Sequence, residues 1–361
     1  MGTRIAIVGG FLGAGKTTLL MNLAKRYKSE GKSVAIIMND QGEVLVDTQF
    51  ARQMGFDTAE VLKGCFCCKF PELIDNARKL VLENRPDIIL AEPVGSCTDL
   101  LATVVAPLKF RFPEEFSVAP LTVLLDSTRI SDEVEDEGSL GAYLRKHQVQ
   151  EAEVIVLSKT DLVAAEEMDG LLSIIKEMNP GARVISYSGV SKQGVAEIAE
   201  LLASSDKSLK RPVDVDYELY AKAEAELGWY NGSYRFELRN ETDTYDLATK
   251  ILRNVAQSYE NGQIAHVKLL LDSPSNSMKM SLVFSDIGVD GVKGGRKAKG
   301  MVELNMNARV LSTPDRLREV MRQSVMSVLE KTGATSIEYK DDCFSPGRPN
   351  PTYRIREDSG A

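Results

Sequence analysis

Histidine is scarce: a chain of 361 residues carries two, His147 and His266. A histidine-based triad or a histidine-rich metal store has almost no material to work with. Cysteine is limited to five, an odd number that argues against a disulfide framework. No apolar run approaches the roughly 18 residues of a membrane span, and the amino end lacks the layout of a secretion signal, so a cytoplasmic protein is expected. Basic residues do not dominate either, since 44 Lys plus Arg against 52 Asp plus Glu leave a net charge of −8. Bulk electrostatics therefore recruits neither nucleic acid nor an anionic membrane. What remains, 43% apolar and 27% charged, is the composition of a folded protein, and the length suits about two domains.

What is present begins at the amino end. The apolar run Ile5-Ala-Ile-Val8 leads into Gly9-Gly-Phe-Leu-Gly-Ala-Gly-Lys-Thr-Thr18 and then a helical stretch, Leu19 to Tyr27. From Gly10 the spacing is G-x-x-x-x-G-K-T, a strand, a glycine loop and a helix. Glycines let backbone N–H groups turn inward around phosphate, and the helix dipole points at the same place. Gly10, Gly13, Ala14, Gly15 and Thr18 are the expected cradle, Lys16 the contact to the outer phosphates and a catalytic residue, and Thr17 a ligand to Mg²⁺.

Apolar runs then alternate with helical segments, as a mostly parallel sheet covered on both faces requires. The expected strands are Ser33–Met38, Ile88–Ala91, Leu121–Asp126, Val154–Leu157 and Arg183–Tyr187, and chemistry in such sheets gathers just after the strands. Glu92, in Glu92-Pro-Val-Gly95, is placed to hold Mg²⁺ and act in hydrolysis, with Gly95 close to the γ phosphate. Asp126 is balanced between site and strand-end cap. Ser158-Lys159-Thr160-Asp161 puts an aspartate where it can accept two hydrogen bonds from guanine, a donor pair that adenine lacks, with the Lys159 stem along the base. Ser188 and Gly189 would offer backbone N–H groups to the guanine oxygen.

Three of the cysteines, Cys65, Cys67 and Cys68, fall within four positions, between an apparent strand, Glu60–Leu62, and a helix from about Pro71 to Leu82. The helix amino end, with Lys63 and Lys69, is expected to depress the thiol pKa values. An extended backbone points Cys65 and Cys67 together and Cys68 away. Asp40 or Glu43 from the preceding loop would add a third ligand, or Cys68 would if the backbone turns. Soft thiolates favour Zn²⁺, with Co²⁺ or Ni²⁺ as alternatives. The competing readings are buried packing and a redox pair, and Cys97 is assigned to packing.

The second half reads as a smaller α+β unit. Polar, proline-containing residues near 204–216 form a linker, and Tyr217–Leu227 is helical. Strands are expected at Ser233–Leu238, Ala265–Leu271, Met278–Phe284 and Met301–Val310, with helices at Tyr245–Tyr259 and Pro314–Lys331, the latter capped by Thr313 and ended by Gly333. Gly288–Gly300 reads as a mobile basic loop, and the proline-rich end from Cys343 as extended chain. The expected division is 1–205, a P-loop domain; 206–231, linker and helix; 232–342, the α+β domain; and 343–361, the tail.

The residues quoted above, together with Asn39-Asp-Gln-Gly-Glu43 and Asp47, resemble the CobW-like branch of P-loop GTPases, which also includes the HypB and UreG nickel-insertion proteins. The resemblance covers roughly residues 1 to 205. It implies GTP hydrolysis coupled to delivery of Zn²⁺, Co²⁺ or Ni²⁺ to a client metalloprotein, or a role in cobalamin and corrinoid-protein maturation. Asp40 would then sit in the loop that orders around the γ phosphate, as a catalytic and Mg²⁺-side residue, and Glu43 would join the transported metal. No arginine finger is placed by the sequence, so turnover is expected to be slow until a client, the metal or a second copy in a homodimer completes the site. Two positions depart from the family's pattern. Ser158 stands where the family usually has Asn, and the shorter hydroxyl is expected not to bridge to the phosphate loop, weakening guanine binding. Asp40 stands where Glu is common. The competing functions are an ATP-using P-loop enzyme and a regulatory switch with a structural metal.

Overall fold

The protein is described by a computed structural model covering residues 2–39, 46–130, 140–208, 210–260 and 262–355. The chain divides into two units. One takes the described residues up to 39, from 51 to 223 and from 348 to 355, and the other takes 46 to 50 and 224 to 347.

The first unit is built on eight strands: β1 (Thr3–Gly10), β2 (Val34–Asn39), β3 (Asp57–Val61), β4 (Ile88–Glu92), β5 (Phe116–Val118), β6 (Thr122–Asp126), β7 (Val154–Ser158) and β8 (Arg183–Ser186). The order is β3-β2-β4-β1-β6-β7-β8, with β5 also on β1, and every pairing is parallel. Strands β4, β6 and β7 are buried at every position, because helices cover the faces of a parallel sheet. Val8, Leu20, Ile36, Leu90, Val156 and Ile198 belong to one shared core. The strand order reverses at β1, and there the carboxyl ends of β1, β4, β6 and β7 deliver Gly10, Glu92, Asp126 and Ser158 to one edge. This is a P-loop NTPase architecture.

The second unit is antiparallel. Strands β9 (Leu227–Asp243), β10 (Ile264–Asp272), β11 (Asn276–Val283), β12 (Asp286–Gly294), β13 (Lys297–Leu311) and β14 (Thr335–Phe344) lie in the order β12-β11-β10-β13-β9-β14. Strand alternation sends Leu304, Met306, Ala308 and Val310 of β13 into the core with Ile251 and Leu252 of helix Thr244–Gln257 and Met321 and Val325 of helix Pro314–Thr332. The intervening residues of the same strand, Asn305, Asn307 and Arg309, are also buried, on the opposite face. Residues 46–50 pack on that face. Asn307 Oδ1 accepts the Val46 N–H at 3.3 Å, Asn305 donates to Gln49 at 2.9 Å, and Asp47 is paired with Lys268 and, at 2.7 Å, with Lys279.

Several sequence expectations need correction here. Residues 288–300 are no loop: most of them form β12 and the start of β13, and β12 pairs with β11 through Gly288↔Ser281 and Val292↔Met278. The glycines hid a strand that Val289 and Val292 support. Strand β14 lies where the sequence reading has no strand and carries the sheet to Phe344, while β9 begins at Leu227 and not at Ser233. Thr313 occupies the N-cap with extended geometry but makes no side-chain capping bond, whereas Asp243 caps its helix through Tyr245 and Asp246 N–H groups.

Candidate nucleotide and metal site

The loop after β1 turns sharply. Gly10 has φ +129°, and a Cβ there would lie 2.5 Å from the Leu124 carbonyl oxygen on β6, so only glycine fits. Gly13 and Gly15 also take left-handed backbone, and the Ala14 N–H donates to Phe11 O at 3.3 Å. Lys16 and Thr17, buried, open helix Lys16–Ser29, and Thr18 beside them is exposed. The Lys16 ammonium folds back over the loop, donating to Gly10 O at 2.7 Å and Phe11 O at 3.2 Å.

Thr17 Oγ1 donates to the two Glu92 carboxylate oxygens at 3.1 and 3.0 Å. A hydroxyl and a carboxylate held face to face at a helix amino end are the hard-oxygen donor set that Mg²⁺ takes, so these residues fit the ion. Gly95 sits against the loop: a Cβ there would be 2.6 Å from Leu12 Cδ2 and 3.1 Å from Leu12 N. The structure thus brings together Gly10, Gly13, Ala14, Gly15, Lys16, Thr17, Glu92 and Gly95. Asp40 and Glu43 lie outside the described residues.

On the other side of the loop, Ser158 overturns an expectation. Its hydroxyl reaches the phosphate loop after all, donating to Ala14 O at 2.7 Å, with Leu125 O at 3.0 Å. The end of β7 lies near enough to Ala14 that a hydroxyl spans the gap expected to need an amide. Lys159, in left-handed backbone, pairs with Asp126 at 2.5 Å, and Asp126 also accepts from Thr128, so Asp126 serves as a turn cap and counter-ion. Asp161 is exposed in the short turn Thr160–Leu162. The Ser188 N–H donates to Gln193 O at 3.2 Å, which leaves Gly189 of the two amides expected to face the base oxygen. Gly189 lies close to Thr18, whose Cγ2 would be 3.0 Å from an added Cβ.

The thiols occupy the turn between β3 and helix Phe70–Asn84. The backbone is not extended there: Cys68 and Lys69 N–H groups both donate to Cys65 O, at 3.0 and 2.8 Å, so one helical turn brings all three sulfurs to the same side. The Sγ atoms of Cys65 and Cys67 are 2.7 Å apart, Cys65 and Cys68 3.1 Å, and Cys67 and Cys68 3.8 Å. Asn39, the last residue of β2, fastens the turn, donating to Gly64 O at 2.6 Å and Val61 O at 2.9 Å and accepting the Phe66 N–H at 2.8 Å.

Hydrogen bonds from Cys67, Cys68 and Cys97 hold the Cys65 thiol well below its ordinary range. The bond to Cys65 pushes Cys67 well above its range and Cys68 up to about 11. The largest causes are the mutual contacts of the thiols, with the Cys68 N–H of the same turn helping to lower Cys65, and not the Lys63 and Lys69 charges that the sequence suggested.

A strap that no local signal announces crosses this cluster. The Asn350 N–H donates to Cys68 Sγ at 3.2 Å, Thr352 donates to Cys67 O at 2.8 Å through its N–H and to Cys68 O at 3.1 Å through its hydroxyl, and the Tyr353 ring meets Phe70 edge-on. Arg354 completes it by pairing with Asp99 at 2.6 Å.

The profile of the CobW/HypB/UreG nucleotide-binding domain matches residues 4–186. This chain belongs to the CobW/HypB/UreG family. Among curated relatives, it is 31% identical to the zinc chaperone CobW of Sinorhizobium sp over 48% of this chain and 54% of that protein. It is 30% identical to the zinc chaperone YjiA of Escherichia coli K12, over 49% of this chain and 55% of that one. Zinc-regulated GTPase metalloprotein activator 1 of Dictyostelium discoideum matches at 28%, over 55% of this chain and 47% of its own. The chain spans about half the length of the CobW-type relatives it matches. No helix among the described residues is long and apolar enough to cross a membrane.

Proposed function

We propose that this CobW-family chain is a GTP-binding and GTP-hydrolysing metallochaperone that couples a slow hydrolysis to transfer of a divalent transition metal. The observation that carries the reading is the Asn39 side chain. Asn39 follows Met38, which is paired with Glu92 across β2 and β4, and grips the thiol-bearing turn at Gly64 and Phe66. One residue thus belongs to both the nucleotide edge and the metal turn.

In this reading Lys16 neutralises the outer phosphates, Asp161 accepts the guanine donor pair with Lys159 along the base, and Gly189 meets the base oxygen. Thr17 and Glu92 hold Mg²⁺, which when bound neutralises charge shared between the phosphates. Asp40 and Glu43 are proposed for the loop that answers the γ phosphate. Cys65, Cys67 and Cys68 hold the cargo, and zinc is preferred because thiolates are soft and because the relatives CobW and YjiA are zinc chaperones by name. The recipient is a client metalloprotein or a corrinoid-pathway protein.

The test is a zinc titration of the reduced chain with Mg²⁺ and either GDP or a non-hydrolysable GTP analogue, repeated on Cys65→Ala and Lys16→Ala. We expect stoichiometric binding that differs at least tenfold between nucleotides, is lost in Cys65→Ala and no longer answers to nucleotide in Lys16→Ala. Competition of bound GDP by GTP but not ATP checks the base. Equal zinc affinity in both states would favour the second reading, a nucleotide switch with a structural zinc, for which the N–H bond from Asn350 to Cys68 Sγ speaks.

A further inference from the structure

The strap over the thiols and the segment that leaves the nucleotide edge end on the same carboxylate. Cys65 and Cys67 are buried, 5% and 2% exposed, while Cys68 keeps some solvent access, so a reagent or an incoming ligand meets the cluster at Cys68. Residues 348–355 lie across that thiol. Asn350 gives Cys68 Sγ its N–H, and Thr352 holds the Cys67 and Cys68 carbonyl oxygens through its N–H and hydroxyl. An N–H bond to a thiolate ligand steadies it, and a covered ligand exchanges slowly.

A chain end stays in place only where it is tied down, and the ties of this one continue beyond the cysteines. The Tyr353 ring stands edge-on to Phe70 and beneath the Arg111 guanidinium, 4.4 Å from the ring centroid. The Ile355 N–H donates to Ala102 O at 2.9 Å. Arg354 lies over the Tyr217 ring at 4.7 Å and donates to Asp99 Oδ2 at 2.6 Å, and the Tyr217 hydroxyl donates to the same oxygen at 2.9 Å. Asp99 is 2% exposed, so breaking this pair by removing one partner is costly.

Asp99 is also the far end of the segment that starts at the nucleotide edge. Glu92 bonds Thr17, and Gly95 has room for no side chain because Leu12 of the phosphate loop lies against it. The Gln148 amide donates to Gly95 O and Cys97 O at 2.9 Å each, and the Thr98 N–H donates to the Tyr220 hydroxyl at 3.2 Å. Asp99 takes left-handed backbone, φ +66°, a conformation that costs an aspartate energy and that the surrounding bonds enforce. Only Ser96, Cys97 and Thr98, all buried, separate Gly95 from Asp99, so a shift of Gly95 as the phosphates change is passed to the carboxylate that holds Arg354.

We propose that residues 348–355 are a releasable cover of the cargo thiols, latched through Arg354 on Asp99, and that nucleotide state opens and closes the latch. This rests on the metallochaperone reading above and adds a gate to it. Cargo beneath the strap is retained, and it is handed on when the strap lifts from Cys68.

The test follows Cys68 itself. The metal-free, reduced full chain is pulsed with iodoacetamide in Mg²⁺ and either GDP or a non-hydrolysable GTP analogue, and each cysteine peptide is quantified by mass spectrometry. Cys68 of the parent should react at rates at least about threefold apart in the two states. Arg354→Gln, and Asp99→Asn, whose side chain tolerates left-handed backbone, should each speed Cys68 in the slower state about tenfold and erase the nucleotide dependence, with Cys343 unchanged. The double variant should be no faster than either single one, because both undo the same latch. Zinc-loaded parent and variants should lose the ion to excess EDTA in the same order of rates. The parent's dependence on nucleotide needs no substitution and decides the matter even where a variant unfolds. A Cys68 rate equal in both states, or untouched by either variant, with zinc still bound stoichiometrically, would overturn the latch and leave the metallochaperone reading standing. Effects of the two variants that multiply would overturn it too. A parent chain that binds no zinc would overturn both.

Discussion

The two sheets use polar residues in opposite ways. In the parallel sheet the buried strands β4, β6 and β7 are apolar within and polar at their ends, where Glu92 bonds Thr17, Ser158 bonds Ala14 O of the phosphate loop and Asp126 pairs with Lys159. In the antiparallel sheet the polar groups stand in mid-strand, where Lys268, Lys279, Asn305 and Asn307 make one buried polar face that holds residues 46–50. Groups at strand ends sit on loops that can rearrange around a ligand, whereas groups in mid-strand are fixed by the ladder. The first arrangement suits a reacting site and the second a fixed anchor.

Two buried carboxyls put numbers on that contrast. Asp47, between two lysines, is held far below the usual carboxylate range by their charge, which outweighs the cost of burial. Removing it leaves the buried Lys279 with Asp290 at 3.3 Å and the face of the Phe50 ring among its described neighbours. Asp47→Ala should cost the second unit about 3–5 kcal/mol, read as faster hydrogen exchange in β10 and β11 with β4 and β6 unchanged. Equal effects on both sheets would break the comparison. Because its folded pKa is depressed, the contribution of Asp47 is present above the unfolded value of about 4 and is lost on acidification below it.

Glu151 is the opposite case. Buried at the end of helix Leu140–Glu151, it accepts the Leu101 N–H at 3.0 Å, and burial, with Asp99 nearby, pushes its carboxyl up to about 8. The folded state holds this proton more tightly than the unfolded one, so its contribution is fullest below about pH 4.3 and falls as pH rises toward 8. Glu151→Gln should therefore gain melting temperature relative to the parent as pH goes from 5 to 8, by several degrees at the upper end. A difference independent of pH would mean that the proton is not held in the fold.

The smallest effect is expected at Ser158. Ser158→Ala removes the bonds to Ala14 O and Leu125 O and should cost about 1–2 kcal/mol, together with a severalfold loss of GDP affinity measured by fluorescence displacement. A loss of stability with no change in GDP affinity would assign that hydroxyl to the sheet alone.

The phosphate loop, the strand ends and both helices of the second unit were legible because each rests on local signals: glycine spacing, apolar runs, and alternation. What escaped had weak or distant signals. Strand β12 carries glycines that mask its alternation, and β14 alternates only briefly around Ile337 and Tyr339. The three thiols were visible as a group, but their convergence depended on a helical turn that spacing does not dictate. The reach of Ser158 to Ala14 was misjudged because it is set by the packing of β7 beside the phosphate loop and not by side-chain length alone.

The strap from Asn350 to Arg354 has a consequence in time. Asn350 follows Cys68 by 282 residues, and the whole antiparallel sheet lies between them in the chain. At about 5–20 residues per second of synthesis, the cysteines leave the ribosome roughly 15–60 s before the backbone that will cover Cys68 exists. For that interval Cys68 lacks the Asn350 N–H and the turn lacks its Thr352 bonds, so the thiol-bearing turn is made first and strapped down last among the described residues.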